Sequence, residues 1–199
     1  MGFTFRNTVR TFSDSRTTIG TIIPFSAVGH SAPVLLFRDA DSTIRNKKMI
    51  LFSCIFSSLV FDYMVRQKIT GPNLSKYILI QIASPSPESF KSLKLTYNNI
   101  TKTAEEWCIK QSSKVLPVTQ KLVKPFKNFS NKPVKWDEDD RFEKICFVDA
   151  VIAHSYGLNS KDYEYILNQF SVLRRQEMVK YGKFLSLEKC LEYYDAMKV

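Results

Sequence analysis

Glycine is scarce in this chain, 6 in 199 residues, and none stands in a glycine-rich loop behind a strand. That pattern excludes a Rossmann-type or P-loop nucleotide site, both of which need glycine where backbone amides approach a phosphate. The four cysteines (Cys54, Cys108, Cys146, Cys190) are nowhere closer than 38 residues, so there is no CxxC pair and no zinc-ligand run. Each is expected to pack as a small apolar side chain, as suits a reducing cytosol. His30 stands alone in the Val28 to Ala32 loop with no second ligand nearby, the pattern of a hydrogen-bonding surface group. Long hydrophobic runs are missing too: Met49 to Phe61 contains three serines and ends at Asp62, short of the roughly 20 residues that a bilayer core requires. The N-terminal MGFTFRNTVR alternates like a strand and has no apolar segment with a cleavage site. No membrane contact and a cytoplasmic location are therefore expected.

What is present is positive charge, unevenly spread. The net charge is +10, and residues 1–70, 71–135 and 136–199 carry +5, +8 and −3. A basic body with an acidic tail suits a chain that meets a polyanion on one side and a protein on the other, although a basic balance alone is also common in proteins that bind neither.

Along the chain, FTFRNTV, TTIGTIIPF and PVLLF read as short strands within residues 3–37. The loop Ser13 to Thr17 holds one arginine among hydroxyls. Arg16 could fork onto a phosphate or a guanine edge, or it could be the salt-bridged arginine of an ordinary turn. One uninterrupted core helix is expected from about Thr43 to Arg66, with Asp62 and Arg66 at the spacing of a helical ion pair. Gly71 and Pro72 break it, Asn73 is placed to cap a short helix carrying Leu74, Tyr77, Ile78 and Ile82, and Pro85 ends that helix. The polar turn between, with Gln67, Lys68, Thr70, Asn73 and Lys76, reads as a recognition surface.

A second long helix is expected at about Glu88 to Lys110, on the stripe Phe90, Leu93, Tyr97, Ile100 and Ala104. Residues 111–135, with three prolines and six lysines, read as a linker or extended arm, with Lys121 and Lys124 as diffuse phosphate contacts or as solvated loop residues. Three helices then follow. The first starts behind Asp137 to Asp140 and ends at Gly157, the second is capped by Asn159 or Ser160, and the third spans about Ser186 to Met197. Asp140, Glu143 and Lys144 form a carboxylate–lysine cluster without a strand context, a weak nuclease signal. No Asn-Pro-Pro-Tyr-like or Asp-Pro-Pro-Tyr-like tetrapeptide occurs, so the signature of adenine-amino methyl transfer is missing.

Three ordered segments carry a resemblance: SRTTIGTIIP at Ser15 to Pro24, SLVFDYMVRQKITGPNLSKYILIQIASP at Ser58 to Pro85, and VKWDEDDRFEKICFVDAVIAHSYGLNSKDYEYILNQF at Val134 to Phe170. Together they resemble the C-terminal specificity region of type IIG and Eco57I-like restriction–modification adenine methyltransferases and their phage-defence relatives, over nearly the whole chain. The chain departs from the family at Pro72, where a second glycine is usual, and at Ile82-Ala83, where a Leu-Pro strand end is usual.

The resemblance implies a target-recognition domain that binds double-stranded DNA for a methyltransferase domain or subunit elsewhere. S-adenosylmethionine would be held by that partner and no cofactor by this chain, which would be either a gene fragment or a separate specificity subunit. The expectation is thus an α/β (α+β) fold: a small mixed-sheet recognition domain at residues 1–85, a long helix and basic linker at 86–135, and a helical docking tail at 136–199. The expected DNA contacts are Arg16, Thr17, Arg66, Gln67, Lys68, Asn73, Lys76, Lys121 and Lys124, with no catalytic or metal-binding residue. The alternative is a protein-interaction remnant or subunit with no DNA binding of its own.

Overall fold

Phe3 and Phe5 alternate with Thr4, so the first strand turns two aromatic rings to one side, and that side becomes part of the core. The computed structural model describes residues 1–11, 13–127 and 130–199. Strand β1 (Gly2–Phe5) is the middle of an antiparallel sheet ordered β2-β1-β3, with β2 at Gly20–Ile23 and β3 at Val34–Leu35. Phe3 meets Phe52 and Phe56 edge-on, at 5.0 and 5.1 Å between ring centroids. Gly20 pairs with Phe5, and a Cβ there would stand 2.5 Å from Phe3 Cζ and 2.9 Å from the Thr4 carbonyl oxygen. Only glycine fits that approach.

The helix expected over 43–66 is two helices, α1 (Ser42–Ser57) and α2 (Leu59–Lys68), bent by 69°. Serine chemistry makes the break. The Ser57 and Ser58 hydroxyls donate back to the carbonyls of Ser53 (2.7 Å) and Ile55 (2.9 Å), and Ser58 Oγ accepts the Phe61 amide (3.1 Å) as the cap of α2. No single helix among the described residues is long and apolar enough to cross a membrane; this bent pair reaches the length only jointly.

The long helix expected at 88–110 is likewise absent. In its place stand α4 (Pro87–Ser92), a hairpin of β4 (Lys94–Tyr97) and β5 (Ile100–Thr103), and α5 (Ala104–Ser112), after the short α3 (Lys76–Leu79). Asn98 and Asn99 both take positive φ, 49° and 61°, the signature of a two-residue hairpin turn matched to strand twist. The apolar residues at 93, 97 and 100 mimic helical spacing, while β-branched Thr96, Ile100, Thr101 and Thr103 favour strands.

The expected linker is also folded. It contains α6 (Gln120–Val123) and a 3₁₀ turn at Lys124–Phe126, and Phe126 is fully buried against the core. Val115, Val123 and Phe126 fix this lysine-rich stretch onto the body. The last segment forms α7 (Glu138–Ser155), α8 (Ser160–Asn168), α9 (Ser171–Tyr181) and α10 (Leu185–Ala196). Gly157 lies beyond α7 at φ 70°, and Asn159 caps α8, both as expected. Helix α9 has no counterpart in the sequence reading. After α10, Lys198 pairs with Thr96, so the chain closes on the hairpin.

The fold is mixed helix and small antiparallel sheet with long helices. One hydrophobic cluster runs through all three expected segments, from Phe3 and Phe56 through Trp107 and Phe126 to Ala150, Tyr163 and Phe170. The four cysteines are buried and free.

Candidate nucleic-acid interface

Asp62, fully buried on α2, organises the N-terminal loop. Its Oδ2 accepts from Arg16 Nε at 2.9 Å and from the amides of Thr17 (2.9 Å) and Thr18 (3.1 Å), and its Oδ1 accepts from Arg66 Nε at 2.8 Å. Arg16 Nη2 also donates to the Ser57 carbonyl (2.5 Å), at the break between α1 and α2, and to the Ser58 carbonyl (3.1 Å), which the Asp62 amide shares at 3.1 Å. Arg66 Nη2 reaches the Ser15 carbonyl at 3.1 Å, and its guanidinium lies 4.5 Å from the centroid of the Phe170 ring. Burial pushes the Asp62 carboxyl up, but the two guanidiniums outweigh it and hold its pKa below the usual value. Arg16, Thr17 and Arg66, expected at DNA, are therefore turned inward, where they tie loop to helix.

Gln67, Lys68, Asn73 and Lys76 do stand at the surface, around the turn that leaves α2. The turn is held by main-chain bonds to the segment after β1: the Leu74 amide donates to Asn7 O at 2.7 Å and the Val9 amide to Pro72 O at 2.8 Å, with Asn73 bridged to Thr8. Asn73 does not cap α3. That position belongs to Ser75, which makes no side-chain cap bond, and the Asn73 side chain makes no hydrogen bond among the described residues. Beside it Tyr77 and Ile80 are 74% and 69% exposed.

A concentration of positive charge lies at the other end of the bent helix pair. A cleft of about 310 Å³ is lined by Arg45, Asn46 and Lys47 of α1, by Lys124 and Pro125 of the 3₁₀ turn and by Lys127, which caps that turn. A second cleft, of about 520 Å³, is lined by Lys47, Lys102, Lys110 and Lys114 together with Glu105 and Glu106. Lys47 belongs to both, so the two form one basic tract. Glu105 is paired to Lys47 at 3.0 Å, and Glu106 accepts the Thr103 amide in the capping box of α5. Both tract carboxylates are thus already engaged, while Lys102, Lys110, Lys114, Lys124 and Lys127 have no carboxylate partner among the described residues. Of the expected lysines, Lys124 lies in the tract and Lys121, exposed at the start of α6, lines neither cleft. Sequence reasoning passed over Arg45, Lys47, Lys102, Lys110, Lys114 and Lys127. The signal was the run Arg45-Asn46-Lys47-Lys48, the densest positive charge in the first half of the chain.

The Asp140, Glu143 and Lys144 cluster separates into surface contacts. Lys144 pairs with Asp140, while Glu143 accepts the Tyr193 hydroxyl at 2.5 Å and pairs with Lys189 at 3.3 Å. Among the described residues, no group of three or more His, Cys, Asp or Glu could hold a metal ion. His30 lines an apolar groove of about 570 Å³ with Phe5, Phe52, Leu79 and Ile80. Comparison of the chain with protein-family models, with curated proteins and with solved structures finds no match in any of the three.

Proposed function

We propose that the chain is a duplex-DNA recognition module serving an adenine-specific methyltransferase of the restriction–modification type. The observation that supports it is the basic tract around Lys47, in which seven Lys and Arg side chains stand against two carboxylates already engaged. Such a tract neutralises backbone phosphates and supplies most of the affinity of a DNA-binding protein without reading sequence. Reading falls to the surface turn. Asn73 can pair bidentately with adenine, Gln67 offers the same amide chemistry, and Lys68 and Lys76 can meet guanine edges or phosphates. Arg16 and Arg66 act behind them as supports. S-adenosylmethionine and methyl transfer belong to a methyltransferase domain or subunit.

Fluorescence anisotropy with labelled duplexes over a salt series tests this reading. Affinity that falls with a log–log slope of about −0.9 per phosphate supports it, and salt-independent or undetectable binding at low ionic strength, with the methyltransferase partner supplied, overturns it. A second reading, a protein-interaction module without DNA binding, is favoured by the exposed Ile80, which lines the apolar groove, and by the exposed Tyr77 on the short helix that Ile80 caps.

A further inference from the structure

We infer that the cleft between the start of α1 and the 3₁₀ turn is a seat for one phosphate group, held jointly by Arg45, Lys124 and Lys127. The inference rests on the DNA reading for the source of that phosphate, a nucleic-acid backbone, and on its own geometry for the seat.

The lysines are presented by a rigid piece of chain. Lys124 and Lys127 are three residues apart on a 3₁₀ turn, where side chains at that spacing eclipse one another, so both stem from the same side. The turn is closed by the Lys127 amide on Lys124 O at 3.4 Å, and it is pinned from beneath by Pro125 and the fully buried Phe126. Arg45 faces them from α1, with one guanidinium nitrogen bonded to the Asp39 carbonyl at 3.1 Å. That bond orients the fork without neutralising it. Asn46, Ser42 and Thr43 add neutral polar groups to the wall.

The negative groups nearby are already engaged. Asp41 accepts the Thr43 and Ile44 amides at 2.6 and 3.1 Å, so the N-terminus of α1 is capped and adds nothing to the seat. Asp39 pairs with Lys48 at 2.5 Å and Glu105 with Lys47 at 3.0 Å. What remains is a pocket of about 310 Å³ whose lining includes one arginine and two lysines without a carboxylate partner among the described residues. A guanidinium fork with two point charges matches a tetrahedral oxyanion carrying several acceptors.

A seat and a set of independent surface lysines differ in how their removal adds up. In the full chain, Lys124→Gln with Lys127→Gln should flatten the salt slope of duplex binding by about 0.9, one phosphate's worth, and adding Arg45→Gln should flatten it no further. Lys161→Gln on α8, which lines neither cleft, should leave it unchanged, and melting curves should show all variants folded. Losses that mount with each substitution, or no loss in the triple variant, overturn the seat. If the wild-type chain binds no duplex, the DNA reading fails and the seat is judged with inorganic phosphate at matched ionic strength. A rise in melting temperature that the double variant abolishes keeps the seat for free phosphate, and no rise overturns it as well.

Discussion

The carboxylate of Asp149, on α7, accepts the backbone amide of Leu59 at 2.7 Å across 90 residues of sequence. Its other oxygen accepts the Tyr163 hydroxyl at 2.9 Å, so one side chain joins the first turn of α2 to α7 and α8.

Burial raises the Asp149 pKa to about 6, against an ordinary 3.8, despite the opposing pull of Arg16 and the two hydrogen bonds. A folded-state pKa above the unfolded one means that this group favours folding fully below pH about 4, and that the contribution is lost as pH rises through 6. The shift corresponds to about 3 kcal/mol. Asp149→Asn, which keeps the size and the polar atoms, should gain stability relative to wild type by up to that amount between pH 4 and 7. Denaturant midpoints at several pH values check it, and a constant difference across that range contradicts the assignment.

For Asp62 the sign is opposite. Its pKa is lowered in the folded state, so its contribution is present above the ordinary carboxylate value and is lost as pH falls through the folded one. Asp62→Ala leaves Arg16 and Arg66 without their shared carboxylate and should cost about 3 to 5 kcal/mol. Arg16→Lys should also destabilise, because an ammonium cannot bridge the carboxylate and the Ser57 and Ser58 carbonyls at once. On folded protein it should leave the DNA motif selected from a randomised duplex pool unchanged.

Asn73→Ala separates reading from scaffold. Since Asn73 makes no cap, the melting curve should move by no more than about 0.5 kcal/mol. Discrimination at one or two base pairs should relax, by about 1 to 3 kcal/mol each. An unchanged selected motif would shift base reading to Gln67, Lys68 and Lys76.

Phe126→Ala empties a fully buried site beneath the lysine-bearing turn and should cost about 3 to 5 kcal/mol. Duplex affinity should fall with it even at temperatures where the variant stays folded, because Lys124 and Lys127 lose the support that aims them. Affinity preserved in the folded variant would mean that the lysines act without that support.

The elements legible in the sequence are those whose signal is local. Alternation in FTFRNTV gives β1, Asp137 and Asn159 give the starts of α7 and α8, and Gly157 gives the end of α7. The misreadings share a cause. Apolar residues at 93, 97 and 100 satisfy a helical period and a hairpin alike, and the decision rests on Asn98 and Asn99, whose positive φ only the turn reveals. The lysine density of 111–135 hid Val115, Val123 and Phe126, whose burial depends on α1 being there to receive them. The candidate site was less legible than the fold. Arg16 and Arg66 carry DNA-reading chemistry in any sequence, and only the buried Asp62 between them shows that they face inward. Arg45, Lys47 and Lys124 are brought to one cleft by packing alone.

The break at Ser58 sets when protons can leave the backbone. The amides of Thr17, Thr18 and Leu59 all donate to buried carboxylates whose neighbours come from both ends of the chain. None of the three belongs to a regular ladder, yet each should exchange with deuterated solvent only through whole-molecule opening, as slowly as the centre of α7, while amides of the surface turn at 70–73 exchange quickly. Three loop and helix-end amides would then report the global unfolding free energy.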